Sequence, residues 1–157
     1  MNLVILSPKD ILGLNHGAAR RIYNLANNVV KLGNKVTVIC ISNFHERRMQ
    51  IVRPKRNLNL ISVSFGEVVH LVTVIVRHLI SADIVQLEFP TFSPLIPVLK
   101  KLGKPIVLDE HGVEVEFMNE VCEALERRVK KFEYVKTRLL ESLGVKTSST
   151  VFVCSDI

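Results

Sequence analysis

The sequence predicts an α/β fold, a doubly wound parallel sheet of about six strands with helices on both faces. Three observations predict it. Short apolar, β-branched runs recur along the chain, segments of helical spacing fall between them, and glycine- or proline-containing turns separate the two. Strands buried on both faces read as continuous apolar runs, and strands alternating with helices indicate a parallel sheet. With 157 residues and 48% hydrophobic content, residues 1–157 are expected to form one domain with its own core.

The elements follow in order. Asn2–Ser7 is apolar on both faces and predicts the first strand. A loop with two glycines leads into Ala18–Leu32, where Ile22, Leu25, Ala26, Val29 and Val30 share one helical face. Gly33-Asn34 supplies the left-handed cap that ends this helix, and Lys35–Ile41 is the second strand. A strand, helix and strand within about forty residues implies a parallel pair joined by a right-handed crossover. Leu58–Phe65, Asp83–Leu87, Pro105–Asp109 and Thr150–Cys154 predict the remaining strands. Val68–Ile80, Phe92–Leu102 and Phe117–Leu143 predict the helices, the second of these starting near Ser93-Pro94 because proline suits a first turn. His45–Arg56, rich in arginine, reads as an irregular solvated loop, with an anionic acceptor or a membrane surface as the sharper reading.

Composition narrows the function classes. Net charge of +6 favours anionic partners without choosing among them. No recognition motif or aromatic platform supports nucleic-acid binding, and aromatics make up only 6%. Cys40, Cys122 and Cys154 are odd in number and widely spaced, and two of them lie in apolar runs, so a reducing, cytoplasmic location is expected. The apolar stretch Val68–Ile80 carries His70, Arg77 and His78 and falls short of the roughly 20 residues a bilayer needs. Both histidines are expected in the core or at its edge.

Ligands of open parallel sheets bind beyond the carboxyl ends of the strands. Three segments occupy that position: Leu12–Ala18, Glu88–Ser93 and Asp109–Glu116. The first contains Gly13-Leu14-Asn15-His16-Gly17-Ala18 ahead of a helix, where small residues let backbone N–H groups approach an anion. Neither a GxGxxG fingerprint nor a Walker A sequence is present, which argues against NAD and P-loop chemistry. In the third segment His111 stands among Asp109, Glu110, Glu114 and Glu116, as a base, a hydrogen-bond donor or a metal ligand. Metal is the weakest of these, because the spacing matches no ligand motif. No metal and no cofactor are expected.

Four stretches in order carry a resemblance to a known family: Gly17-Ala18-Ala19-Arg20-Arg21 through Lys35-Val36-Thr37-Val38; Asp83-Ile84-Val85-Gln86-Leu87; Lys104 through Glu114; and Val151-Phe152-Val153-Cys154-Ser155-Asp156. The chain resembles the N-terminal, Rossmann-like domain of the family 4 glycosyltransferases, whose two domains face a cleft. The resemblance implies transfer of a sugar from a nucleotide-sugar donor to a glycan or lipid-linked acceptor, with retained anomeric configuration and no bound metal. It implies that His111 contacts the transferred sugar as the catalytic residue. Donor or acceptor contacts are expected from Asn15, His16, Gly17, Ala18, Glu88, Glu110 and Ser155. The donor-binding C-terminal domain of that family is not among these residues, so the chain is expected to be a fragment, inactive by itself. One departure is Ala18, where the family often has a second glycine. The basic stripe of the last helix (Arg127, Arg128, Lys130, Lys131, Lys136, Arg138) reads as a solvated face, or as peripheral contact with a membrane surface. Self-association through a sheet edge is a further expectation. The rival reading is a non-catalytic module that binds an anionic ligand or a partner protein.

Overall fold

The computed structural model describes residues 1–42, 49–64, 68–110 and 128–153. Among them the strands are β1 (Asn2–Ser7), β2 (Lys35–Ser42), β3 (Gln50–Lys55), β4 (Leu58–Ser64), β5 (Ile84–Glu88), β6 (Ile106–Glu110) and β7 (Thr150–Val153). The helices are α1 (Gly17–Lys31), α2 (Val68–Ser81), α3 (Ile96–Lys101) and α4 (Arg128–Thr147), with a 3-10 helix at Pro90–Leu95. The sheet order is β3-β4-β2-β1-β5-β6-β7. β1–β2, β2–β4 and β6–β7 pair in parallel, as the sequence predicts. The chain divides into two compact units, Met1–Gln86 and Leu87–Ile157.

In the first unit, register and side-chain alternation build the core together. Leu3 and Ile5 of β1 stand beside Val36 and Val38 of β2, which stand beside Leu58 and Leu60 of β4. These six residues form one apolar surface, and Ala19, Ile22 and Ala26 of α1 belong to the same buried cluster. Val4 and Leu6 point the other way and are equally buried, so β1 is covered on both faces. Gly33 takes φ +83 where the helix turns into β2, the conformation its cap position requires. The start of β1 is tied down by Asp83, whose Oδ2 accepts the Asn2 N–H at 2.6 Å.

β3 corrects the loop expected over His45–Arg56, and it brings the strand count among the described residues to seven. It pairs antiparallel with β4, and all six of its residues are exposed. An edge strand with no buried face has no apolar alternation to display, and Pro54 fits such an edge. Residues 43–48 lie outside the described residues. His78 is half-buried, consistent with a core-edge position; the His70 side chain lies outside the described residues.

In the second unit, the helix expected over Phe92–Leu102 divides into the 3-10 helix and α3. Pro94 and Pro97 have no N–H to give, so the ladder of a single α-helix cannot run through this stretch. α4 continues four residues beyond the predicted end at Leu143, while residues 117–127 lie outside the described residues. Gly144 explains the extension. A Cβ there would meet Ser93 Oγ at 2.5 Å and Leu108 Cδ2 at 2.7 Å, so this glycine serves close packing rather than helix termination.

That contact makes a prediction with opposing terms. Alanine gains about 1 kcal/mol of helix propensity over glycine, whereas overpacking costs roughly 1–3 kcal/mol. Gly144→Ala is therefore expected to lower the midpoint of urea unfolding. A raised midpoint would show that Ser93 and Leu108 yield without strain.

Candidate functional site

The loop leaving β1 is assembled from short side-chain-to-backbone turns. Ser7 Oγ accepts the Lys9 N–H at 3.0 Å and donates to the Lys9 carbonyl at 2.9 Å. Asp10 Oδ1 accepts the Leu12 N–H at 3.0 Å. Such turns give a loop backbone its hydrogen bonds without a sheet ladder. Leu14 then sits at φ 49, left-handed for a branched residue, and Arg20 Nε donates to its carbonyl at 3.1 Å. Strained residues of this kind persist where the surroundings hold them, and they concentrate at binding sites.

His16 is the N-cap of α1. Its Nδ1 accepts the Ala19 N–H at 3.1 Å, which satisfies one of the donors left open at the helix start. An accepting Nδ1 leaves Nε2 as the ring position that can carry the proton. Asn15 and His16 line a cavity of about 660 Å³ together with Lys9, Asp10, Ile41 and Gln50. The sequence singles out Asn15 and His16 as candidates but not the cavity-lining Lys9 and Asp10, whose signal is the Ser-Pro-Lys-Asp turn composition. Gln50 was not readable at all, since it arrives on the unpredicted strand β3. Gly17 opens α1, and a Cβ on it would meet nothing within 4 Å. Ala18 follows inside the first helical turn, half-buried.

Beneath the loop lies Cys40 of β2. Its Sγ is 3.4 Å from the Ile61 carbonyl and 3.6 Å from Asp10 Oδ1. Burial pushes the thiol up to about 11, and the Asp10 carboxylate adds to the rise, while a hydrogen bond with the Ile11 backbone acts against it. The expected core role for Cys40 holds.

In the second unit, Glu88 closes β5 and is fully buried. Phe89, the next residue, has φ 70 and ψ 152, a region nearly reserved for glycine. Its N–H donates to the Asp109 carbonyl at 3.0 Å, which helps hold the strained turn. Glu110 ends β6 and is 2% exposed. Both carboxyl groups are therefore enclosed rather than surface-exposed. His111 and Ser155 lie outside the described residues. Among the described residues no group of His, Cys, Asp and Glu is arranged to hold a metal ion.

The family model described as Glycosyltransferase Family 4 matches residues 15–156, nearly the whole chain. The chain belongs to glycosyltransferase family 4. Its α/β sheet is of the Rossmann-like kind expected for the glycosyltransferase domain. Membership implies sugar transfer as the type of function, with a sugar donor and an acceptor as its ligands in general. No individual curated protein matches the chain. Among the described residues of this glycosyltransferase domain, no helix is long and apolar enough to cross a membrane.

Two predictions follow from the loop and the strand beneath it. Gly17 has no positive φ and open space at its Cβ position, so Gly17→Ala is expected to raise thermal stability by about 0.4–1 kcal/mol through the unfolded chain. Destabilisation in a thermal melt would mean that the turn needs glycine for its fold. Cys40 is held protonated above its ordinary value, so folded and unfolded states bind its proton equally below pH 9. As pH rises from 9 towards 11 the unfolded thiol ionises first, and stability falls by up to about 1.4 kcal/mol per pH unit. Cys40→Ala should flatten this part of the stability profile measured by urea unfolding. An unchanged slope would place the titration elsewhere.

Proposed function

We propose that this glycosyltransferase domain is the acceptor-side half of a retaining, cytoplasmic enzyme that uses a nucleotide-sugar donor. The observation that carries the proposal is the cavity at the β1–α1 loop, in a chain whose family model begins at Asn15 within that loop. Lys9 and the amino end of α1 are suited to an anionic group, and Asn15 and Gln50 can hydrogen-bond sugar hydroxyls. In the reaction, the bond between the anomeric carbon and the donor phosphate breaks, and the leaving nucleoside diphosphate takes the electron pair. The acceptor hydroxyl oxygen bonds to that carbon on the same face, and its proton passes to the departing phosphate.

His111 is proposed to contact the transferred sugar beside the reacting carbon, and Ser155 to border the same site. Glu88 and Glu110 would act from beneath the surface, holding the turns that carry their neighbours. Asn15, His16, Gly17 and Ala18 would face the donor diphosphate or the acceptor. A diphosphate needs more positive charge than Lys9 supplies, so the proposal assigns the remaining phosphate contacts to a second, donor-binding domain, without which turnover is not expected.

The test combines this chain with a donor-binding domain and follows consumption of a nucleotide-sugar in the presence of acceptor. His111→Ala is expected to lower turnover by about 10²-fold or more, as removal of a positioned polar group at a reacting centre does, with little change in melting temperature. Turnover close to that of the unmodified chain would remove His111 from the site.

A further inference from the structure

A second cavity lies at the amino ends of β2 and β4, at the other end of the sheet from the β1–α1 loop. It encloses about 370 Å³, towards the lower end of the roughly 300–1,000 Å³ typical of small-molecule sites. Lys35, Arg53 and Arg56 line it, with His78 from α2, and among the described residues no carboxylate does. Asp83 stands beside this end, its carboxylate accepting the backbone N–H of Asn2, but it is not part of the lining. Gathering three cations without an acid among them opposes folding through mutual repulsion, and a bound anion would offset that cost.

The backbone shows how these cations come together. β3 pairs regularly with β4 at Val52↔Leu60 and then shifts register, so that Lys55 pairs with Leu58. Arg53 and Pro54 together therefore oppose Asn59, which is a β-bulge. In a regular strand Arg53 and Lys55 would share a face. The bulge separates them. Lys55 turns towards α1, where its Nζ meets Asn27 Oδ1, while Arg53 lines the cavity beside Asn59 and His78. The floor is polar as well. Asn59 Nδ2 donates to Thr37 Oγ1 at 3.4 Å, which leaves the Thr37 hydroxyl proton free to point into the cavity. Burial, with the Arg77 charge adding to it, holds the His78 imidazole below its ordinary value.

We propose that this cavity binds a phosphate group, a monoester or diphosphate, through the Arg53 and Arg56 guanidinium groups and Lys35, with Thr37 and Asn59 as hydrogen-bond donors. Guanidinium forks match phosphate oxygens in pairs, and a buried hydroxyl supplies a fixed donor. The site is distinct from the β1–α1 cavity and does not depend on the transfer reaction. Its ligand can be a soluble phosphate ester or the headgroup of an anionic lipid.

The test titrates the isotope-labelled chain with inorganic pyrophosphate and follows amide signals at Thr37, Asn59 and His78. A parallel arm measures sedimentation with vesicles of phosphatidylcholine and phosphatidylglycerol. Pyrophosphate is expected to move those signals, and the exposed double variant R53A/R56A to weaken binding by about tenfold or more. Lys55→Ala removes a charge from the same strand but from the other face, and it should leave affinity within about twofold. Vesicle binding lost in R53A/R56A but kept in Lys55→Ala, without a response to pyrophosphate, would support the same site with a headgroup as its ligand. Absence of binding in both arms, or equal losses in R53A/R56A and Lys55→Ala, would overturn the proposal.

Discussion

Burial of β1 on both faces is the constraint on which the first unit depends. A strand with Leu3 and Ile5 on one side and Val4 and Leu6 on the other cannot be left at an edge. It requires neighbours in register and apolar covering above and below, and β2, β4 and α1 supply that surface on one face through residues two apart. Once β1 is held in this way, its carboxyl end has one exit. The Ser7–Asn15 loop must turn there and reach the amino end of α1, so the cavity around Lys9 and His16 is a consequence of how the core is packed.

Glycine does different work at different positions. Gly33 is required by a positive φ, Gly144 by lack of space, and Gly17 by neither. Strain is distributed in a similar way. Leu14 and Phe89 hold conformations that glycine would adopt more easily, and both follow strands whose carboxyl ends were singled out as candidate sites. Neither outlier could be read from residue type. Leucine and phenylalanine carry no signal for a left-handed backbone, and the proline after Phe89 favours extended geometry without setting the sign of φ.

The chain belongs to glycosyltransferase family 4, and its candidate loops leave the carboxyl ends of sheet strands. Most of the elements legible in the sequence belong to the sheet interior, with the edge strand β7 readable from its apolar run. β1, β2, β4, α1 and the family motifs were readable because two-sided burial leaves long apolar runs, and because glycine marks helix ends. Asn15 and His16 were legible as site candidates for the same reason, lying between such a run and a helix. Glu88 and Glu110 were legible in position but not in burial, since a carboxylate at a strand end has the same sequence signature exposed or enclosed.

The sequence by itself determined the alternation of strands and helices, the parallel pairing and the family, since local periodicity and short motifs carry all three. Tertiary structure alone decided the edge strand β3, the close contact at Gly144 and the bulge that sends Arg53 and Lys55 to opposite faces. Each depends on atoms distant in the chain. An exposed strand becomes a strand only by pairing with β4, a glycine becomes a packing residue only when Ser93 and Leu108 arrive against it, and the face a side chain occupies is set by the register of its partner strand.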